Sequence, residues 1–470
     1  MSEVFDTISK EALNNLFEEQ RKNNYINPEY YRRFDVKRGL RNADSTGVLA
    51  GLTKVCSVEG YYIEDGERVP KDGKLTYRGI NIQHIISNCE KENRFGYEEV
   101  IYLLLFGVLP TEKQLNRFKQ ILADLRELPE DFVEDMIMKV PSKDIMNKVA
   151  RSVLALYSYD DDPDNTDPAN VLRQSIQLIA QIPVIMANSY QVKRRVYDKK
   201  SMFFHQNNPK LGFAESILRS IRADKQFTDE EAKLLDICLI LHADHGGGNN
   251  STFTTRCITS SGTDTYSAIA AGIGSLKGPK HGGANIRVVK MVDDIKENLP
   301  DYTNEAKLRD YLNKILKKQA GDRSGLIYGM GHAVYTLSDP RARILKGYAE
   351  KFAKENGREE HFELLSLIEK LTPSLLAEHR GSNKKVCANV DLYSGFLYEM
   401  LGIPRDLFTP LFMSARVAGW SAHRIEEITS NGKIVRPAYK NVNVPRPYVP
   451  IAEREENFGM PNEYISIEER

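Results

Sequence analysis

The feature that most constrains the fold of this 470-residue chain is the spacing of its apolar residues. Beyond Asn81 they recur with a period of about 3.6, which is typical of amphipathic helices. Proline or glycine interrupts the pattern at a few places: Leu109-Pro110, Ile182-Pro183, Lys277-Gly278-Pro279, Gly402-Ile403-Pro404 and Asn431-Gly432. Residues 9–24 have the same spacing, so residues 1–50 are interpreted as an N-terminal helix followed by an arm. The pattern predicts a mainly α-helical protein.

Two helix starts can be predicted from capping residues. Thr228, followed three residues later by Glu231, matches a capping box. Asp339-Pro340 offers an N-cap residue and a proline at the first helical position. We therefore expect helices to begin at about residues 229 and 340.

Strand signals are confined to the region from Gly51 to Tyr77. Short β-branched segments there are interrupted by Asp65-Gly66 and Asp72-Gly73, which are both typical of tight turns. We expect a minor N-terminal β-hairpin on an otherwise helical protein.

Composition argues against several functional classes. The 65 basic side chains are balanced by 65 acidic ones, so there is no charge excess for binding nucleic acid. The charge-free apolar stretch from Val100 to Leu109 is about half as long as a membrane-spanning helix. The five cysteines are odd in number and widely spaced, which favours neither a disulfide framework nor a structural zinc site. The N-terminus matches no secretory or transit peptide, so we expect a cytoplasmic protein.

Common catalytic and nucleotide motifs are also missing from the sequence. There is no G-x-G-x-x-G, no P-loop and no G-x-S-x-G elbow in the context that each requires. Nicotinamide redox chemistry, ATP chemistry and serine hydrolysis therefore have no support.

Histidine and glycine occur together in three short segments: HADHGGGNN with His242 and His245, KGPKHGGAN with His281, and GMGHAVY with His332. Glycine beside histidine lets the backbone approach a ligand closely, because no Cβ stands in the way. The H-x-D-H group could suggest a metal site, but no further ligand has suitable spacing, so we expect no metal.

His281 is predicted to lie near the start of a helix, because helical periodicity resumes just after it. A helix N-terminus lowers the pKa of an imidazole. The neutral ring could then donate a hydrogen bond to a developing enolate oxygen. The alternative is a capping or packing histidine.

His332 precedes the predicted helix start at Asp339-Pro340, and Arg341 falls in the first turn of that helix. A guanidinium suits a carboxylate, so His332 and Arg341 together could hold a keto acid by its carbonyl and acid groups. Taken alone, Arg341 is better explained as an ordinary surface arginine.

Asp391 stands in an apolar stretch, ANVDLYSGF, where burial would raise its pKa toward that of a useful general base. A lone aspartate before a helix is more often an N-cap, and this alternative stays open. Arg416, on a predicted long helix, and Arg436, in the segment after it, are unremarkable individually.

Taken together, four segments resemble the citrate synthase family, in this order and at similar separations: LHADHGGGNNSTFTTR, LKGPKHGGAN, GMGHAVYTLSDPRAR and NVDLYSGFLYEMLGIPRDLFTPLFMSARVAGWSAHRIE. GKLTYRGI and FGYEEVIYLLLFGVLPT extend the resemblance, which runs from about residue 50 to about residue 440. The resemblance implies a mainly α, two-domain fold, with a large domain over residues 51–281 and 397–470 and an inserted small domain over residues 282–396. The active site would lie in the cleft between the two.

The resemblance also implies a reaction and a catalytic triad. An enzyme of this family condenses acetyl-CoA with oxaloacetate, and closure of the domains would keep water out until the carbon–carbon bond exists. His281 would stabilise the enol of acetyl-CoA, and Asp391 would remove the methyl proton. His332 would polarise the oxaloacetate ketone.

Further residues would bind the two substrates, and no permanently bound cofactor is implied. His245, Arg341 and Arg416 would bind oxaloacetate, with Arg436 contributed by the second subunit of a homodimer. The backbone of Tyr328, Gly329, Met330 and Gly331 would contact the adenine of CoA, which is a co-substrate. Lys384 and Lys385 are basic enough to meet its phosphates.

Three alternatives to citrate synthesis stay open. A 2-methylcitrate synthase would use propionyl-CoA, and one methylene is worth only about 1–3 kcal/mol in an apolar pocket. A citryl-CoA lyase and a catalytically silent regulator that binds citrate or CoA are weaker candidates. Gly246 and Lys280, which depart from the common family pattern, leave the substrate preference undecided.

Overall fold

Helices make up most of the protein. The computed structural model describes residues 10–44, 46–381, 385–430, 432–443 and 448–454. Within these ranges the α-helices, α1 to α17 in chain order, are Lys10–Asn23, Glu29–Arg33, Ile82–Lys91, Tyr97–Phe106, Glu112–Asp124, Ile145–Leu156, Pro168–Val196, Phe213–Ile221, Asp229–His242, Asn250–Thr259, Thr265–Lys277, Ala284–Asn298, Glu305–Leu316, Pro340–Glu355, Glu359–Arg380, Asp391–Met400 and Phe408–Thr429. A π-helical segment spans Val133–Met138, and short 3₁₀ turns lie at Arg38–Leu40, Tyr157–Tyr159, Arg405–Leu407 and Ile451–Glu453. The predicted mainly α fold is confirmed.

The capping predictions are confirmed as well. The Thr228 side chain accepts the backbone N–H of Glu231 at the start of α9, and the reciprocal bond completes the capping box. Asp339 caps α14, with Pro340 as its first residue. The expected break at Pro183 is wrong, because α7 continues through this proline to Val196.

A small antiparallel sheet forms the β structure of the described residues. Its strands are β1, β2 and β3, in the order β1-β2-β3: Cys56–Glu64, Glu67–Tyr77 and Ile80–Asn81. Asp65-Gly66 forms the hairpin turn as predicted. The second predicted turn, at Asp72-Gly73, is wrong, because β2 runs through these residues. A shift in pairing register between Glu59 and Tyr61 on β1 accommodates the additional residues that β2 has at this point. Gly73 is needed because a Cβ there would lie 2.1 Å from the carbonyl oxygen of Ser338.

Helix α17 lies at the centre of the core. Every residue from Pro410 to Arg424 is buried, and the helix packs against α4, α7, α9, α10 and α11. A helix that is buried on all sides would be expected to be apolar throughout, yet α17 carries Arg416, His423 and Arg424 inside the protein. These buried polar side chains mark the region where the candidate site lies.

The chain forms two compact units. Among the described residues, those up to Val48 and those from Arg436 onward make up the first unit, and those within Leu49–Val435 make up the second, which holds the sheet and α3 to α17. The further division of the helical part into a large and a small domain stays a prediction.

Candidate active site

Arg416 provides the most informative side chain of the site. It is fully buried, and its Nε donates to the backbone carbonyl oxygen of His242 over 2.7 Å. Its Nη1 and Nη2 atoms are buried and have no hydrogen-bond partner among the described residues. The guanidinium lies 4.8 Å from the centre of the Phe412 ring, and burial lowers the pKa of Arg416. Because a buried charge without partners is destabilising, this arrangement indicates a binding site for an anion such as a carboxylate.

Arg341 is fixed by the residue that caps its helix. The Asp339 carboxylate accepts the Arg341 backbone N–H at 3.0 Å, Nε at 3.1 Å and Nη2 at 2.7 Å. Both residues are buried, which rules out the interpretation of Arg341 as a surface arginine. Although burial opposes the charge, Asp339 raises the pKa of Arg341. The guanidinium is therefore charged and held in one orientation.

His245 and His332 lie side by side. Their rings are 5.1 Å apart, edge to face, and the Tyr335 ring stacks on His332 at 4.7 Å. The Nδ1 atom of His332 accepts the backbone N–H of Val334 and of Tyr335, so a neutral ring carries its proton on Nε2. Burial and the neighbouring Arg341 and His332 lower the pKa of His245 well below its usual range. Its buried Nε2 has no hydrogen-bond partner in the described part of the chain.

Asn389 ties the loop before His332 to the segment that carries Asp391. Its Nδ2 donates to the carbonyl oxygen of Gly331 over 2.8 Å, and its backbone N–H donates to that of Gly329 over 2.9 Å. The two glycines have φ of +92° and +81°, a conformation that other residues rarely adopt. Two distant stretches of sequence therefore meet at this point.

The predicted CoA loop, Tyr328 to Gly331, also packs on the start of α16. A Cβ on Gly329 would lie 2.9 Å from the Cα of Leu392. The Tyr328 hydroxyl donates to Asp322 over 2.6 Å, while the Arg287 guanidinium lies 5.7 Å from the Tyr328 ring. The loop is thus held in place on both sides.

Asp391 is the first residue of α16, and Val390 occupies the N-cap position without a side-chain cap. The N-cap interpretation of Asp391 is therefore wrong. Burial raises the pKa of Asp391 to about 7, with a contribution from Asp339, while Arg341 and Arg416 act in the opposite direction. A carboxyl group with this pKa can both take up and release a proton near neutral pH.

His281 lies three residues before α12, near a helix N-terminus as predicted. Its Nε2 accepts the backbone N–H of Ser251 over 3.3 Å and lies 3.0 Å from the Ser251 hydroxyl. That hydroxyl accepts the indole N–H of Trp420 and donates to Asn249. Burial and the charge of Arg416 lower the pKa of His281 to about 4. The ring is thus neutral, with its proton on Nδ1.

The two buried arginines connect these groups into one site. The charge of Arg416 acts on His245, His281 and Asp391, and the charge of Arg341 acts on His245 and Asp391. The site therefore combines two buried guanidinium groups with neutral imidazoles and a carboxyl group of raised pKa.

The H-x-D-H side chains have separate surroundings. The His242 ring packs on Phe412 with 4.2 Å between ring centres, while its carbonyl oxygen holds Arg416. Asp244 contacts His423 from α17. His245 alone of the three faces His332.

Two sequence predictions fall outside the described site. Arg436 is exposed and belongs to the first compact unit, so its role in a neighbouring subunit stays a prediction. Lys384 lies outside the described residues, and Lys385 is exposed.

The sequence alone did not identify the residues that contact and orient the predicted catalytic groups. These are Ser251 beside His281, Asn389 beside the loop of His332, Asp339 beside Arg341, and Tyr335 on His332. All four lie within the segments that carried the resemblance. Their polar type was visible in the sequence, but the contacts of Ser251 with His281 and of Asn389 with Gly331 join distant segments and depend on the tertiary fold.

The partnerless guanidinium of Arg416 suits a carboxylate ligand, and the neutral imidazoles with the carboxyl group of Asp391 suit acid–base chemistry. Comparison with known proteins agrees. The model of the citrate synthase C-terminal domain family matches residues 43–438, and the chain belongs to the citrate synthase family. It is accordingly an enzyme that transfers an acyl group.

Similar proteins include both citrate and 2-methylcitrate synthases. Citrate synthase of Synechocystis sp. is 34% identical over 410 residues, which cover 87% of this chain and 92% of that protein. 2-Methylcitrate synthase 1 of Corynebacterium glutamicum is 32% identical over 422 residues, covering 89% and 98%. Because this chain is almost equally similar to the two kinds of enzyme, the identities do not distinguish a citrate synthase from a 2-methylcitrate synthase.

Solved structures support the same fold. Citrate synthase of Thermotoga maritima matches with a TM-score of 0.71 and 28% identity, covering 90% of this chain and 100% of that one. A ternary complex of the Thermoplasma acidophilum citrate synthase with carboxymethyl coenzyme A and oxaloacetate matches with a TM-score of 0.72 and 27% identity, covering 89% and 99%. In this chain, none of the described helices is long and apolar enough to cross a bilayer.

Proposed function

We propose that this enzyme is a citrate synthase, which condenses acetyl-CoA with oxaloacetate and water to give citrate and CoA. The observation that supports the proposal is electrostatic: the charge of Arg416 acts on His245, His281 and Asp391, and the charge of Arg341 acts on His245 and Asp391. A keto diacid needs cationic partners for its carboxylates, and an acetyl thioester needs a base and a hydrogen-bond donor for enolisation.

Oxaloacetate would bind first, through the arginines. The two partnerless Nη atoms of Arg416 match the two oxygens of one carboxylate. Arg341, whose charge acts on His245 and Asp391, would serve the other. His245 would donate or accept through its partnerless Nε2. Arg436 of the second subunit in a homodimer would complete the site.

Enolisation of acetyl-CoA would then depend on Asp391 and His281. The Asp391 carboxylate removes a proton from the thioester methyl, for which a pKa of about 7 is well matched. His281 donates its Nδ1–H to the thioester oxygen and stabilises the enol(ate), while Ser251 holds the other ring nitrogen. Because the His281 pKa is about 4, the ring donates a hydrogen bond as a neutral group.

Carbon–carbon bond formation would use His332. Its Nε2–H polarises the oxaloacetate ketone as the enol carbon attacks, and protonates the resulting alkoxide. Water then hydrolyses the citryl-CoA intermediate to citrate and CoA. The backbone of Tyr328 to Gly331 would contact the adenine, since this loop is fixed beside the Asp391 segment.

The acyl substrate is the main point to decide. 2-Methylcitrate synthesis from propionyl-CoA is the second candidate, favoured by relatives such as the Corynebacterium glutamicum enzyme at 32% identity. With acetyl-CoA as substrate, the enzyme would serve the tricarboxylic acid cycle, and we propose that it does so in the cytoplasm as a homodimer.

Thiol release from acetyl-CoA and from propionyl-CoA tests the proposal. With oxaloacetate present, we expect kcat/KM to be higher for acetyl-CoA and citrate to form in equal amount with free CoA. A higher value for propionyl-CoA would identify a 2-methylcitrate synthase. No thiol from either thioester, with the His281→Ala variant as the inactive control, would refute the catalytic proposal and favour a regulator.

A further inference from the structure

Asp244 connects the turn that carries His245 to helix α17. It is fully buried and directly precedes His245. Its Oδ2 accepts the backbone N–H of Gly246 over 3.0 Å and lies 3.2 Å from the Nε2 of His423. His423 is two helical turns beyond Arg416 on α17, so both side chains lie on the same side of that helix.

The contacts of His423 fix its tautomer. Its Nδ1 lies 3.0 Å from Nη1 of Arg256, and a guanidinium has only donors, so Nδ1 must accept. The ring proton is therefore on Nε2 and is donated to Asp244. Arg256 is held in turn by Glu426 and Glu427, each at 2.8 Å. His423 is thus a neutral, oriented bridge between a buried carboxylate and a fixed arginine.

The backbone of α17 also approaches the turn that carries His245 closely. A Cβ on Gly419 would lie 2.4 Å from Oδ1 of Asp244 and 2.5 Å from the carbonyl oxygen of Ala243. One turn earlier, Arg416 donates its Nε to the carbonyl oxygen of His242. The turn over residues 242–246 and α17 are therefore joined at three successive levels of the helix.

We propose that Asp244 and His423 are positioning residues for oxaloacetate: their contact, here called the Asp244–His423 clamp, holds the His245 turn against α17 so that His245 and Arg416 face the same ligand. Neither residue needs to touch the substrate. The hydrogen bonds from His423 and from the backbone N–H of Gly246, together with the nearby Arg416, oppose the effect of burial and lower the pKa of Asp244, so its charge is kept. This inference rests on the proposed function, because it assigns the clamp to oxaloacetate binding.

His423 offers the cleaner test, because the ring is neutral and its removal changes contacts without changing net charge. His423→Leu keeps a similar volume but loses both hydrogen bonds. We expect the KM for oxaloacetate to rise at least about tenfold, which is about 1.4 kcal/mol of binding, with a smaller change in kcat and an unchanged KM for acetyl-CoA. His423→Gln, which can donate and accept at once, should recover most of the affinity.

His361 provides a matched control. It is also a buried histidine that accepts from an arginine, with Arg358 Nη2 3.3 Å from its Nδ1, and it packs on Phe396. His361→Leu should leave the KM for oxaloacetate unchanged. A His423→Leu enzyme that is less heat-stable but keeps the wild-type KM would overturn the inference, as would an equal rise in KM for His361→Leu.

Calorimetric titration with oxaloacetate separates this inference from the proposed function. Weaker oxaloacetate binding to His423→Leu than to wild type supports the clamp, whatever the turnover. If the wild-type enzyme releases thiol from acetyl-CoA but His423→Leu binds oxaloacetate as tightly as wild type, the clamp alone is refuted. If the wild type neither turns over nor binds oxaloacetate, the proposed function fails.

Discussion

Replacing Asp391 by asparagine should remove activity and at the same time stabilise the protein at alkaline pH. The carboxyl group has a pKa of about 7 in the folded protein, against 3.8 ordinarily. The difference is about three pKa units at about 1.36 kcal/mol each, so ionising this carboxyl destabilises the fold by up to about 4 kcal/mol. The residue keeps some exposure, which makes this figure an upper limit.

The sign of the pH dependence follows from the raised pKa. Below pH 4 the carboxyl is protonated in both the folded and unfolded states, so it has no effect on stability. Between pH 4 and 7 the folded state alone retains the proton, and the destabilisation grows until it is complete above pH 7. Asparagine carries no charge at any pH. The stability of Asp391→Asn relative to wild type should therefore rise from pH 4 to pH 8.

Urea unfolding of both proteins at several pH values, followed by circular dichroism, measures this difference, and thiol release measures activity. We expect kcat to fall by about a hundredfold to ten-thousandfold, as for the loss of a general base. In the wild type, kcat/KM for acetyl-CoA should rise through pH 7, from about a tenth of its maximum at pH 6 to half at pH 7. An Asp391→Asn protein that gains no relative stability between pH 4 and pH 8, or that turns over normally, would refute this reasoning.

Three further changes test other parts of the site. Arg416→Lys keeps the charge but loses the planar fork, so the KM for oxaloacetate should rise about tenfold to a hundredfold in steady-state assays; an unchanged KM would contradict the carboxylate contact. Gly329→Ala places a Cβ 2.9 Å from the Cα of Leu392, at a φ of +81°. The variant should lose about 1–3 kcal/mol of unfolding free energy, measured in urea, and its KM for acetyl-CoA should rise. Wild-type values for both quantities would show that the loop is not constrained. Mixing Arg436→Ala with His281→Ala subunits should restore some thiol release through hybrid dimers, and no restoration would argue that each site belongs to one chain.

The sequence predicted the helices better than it predicted the contacts of the candidate site. Helix α9 begins where the Thr228 capping box places it, because capping is a local interaction. Pro183 did not end its helix, since tertiary packing around α7 outweighs a local preference. Asp72-Gly73 was misread as a turn because the glycine serves a close approach to Ser338, which lies far away in sequence.

The environment of each predicted catalytic group also required the structure. By sequence alone an N-cap was the more common explanation for Asp391, but Asp391 lies inside the first turn of α16, where burial raises its pKa. A helix N-terminus was expected to lower the pKa of His281, but burial and the charge of Arg416 are the main causes. Arg341 resembled a surface residue until its pairing with Asp339 was seen. Burial and distant charges set the pKa of Asp391 and of His281, whereas the deciding neighbour of Arg341 is only two residues away.

The most direct measurement is a crystal structure of the enzyme with oxaloacetate and carboxymethyl-CoA, a stable analogue of the thioester. An oxaloacetate carboxylate should lie within about 3 Å of both Nη atoms of Arg416, with the ketone oxygen at hydrogen-bond distance from His332. Asp391 and His281 should both contact the acyl end of the analogue. A complex in which the ketone lies away from His332, and the acyl group away from Asp391 and His281, would contradict the proposed mechanism.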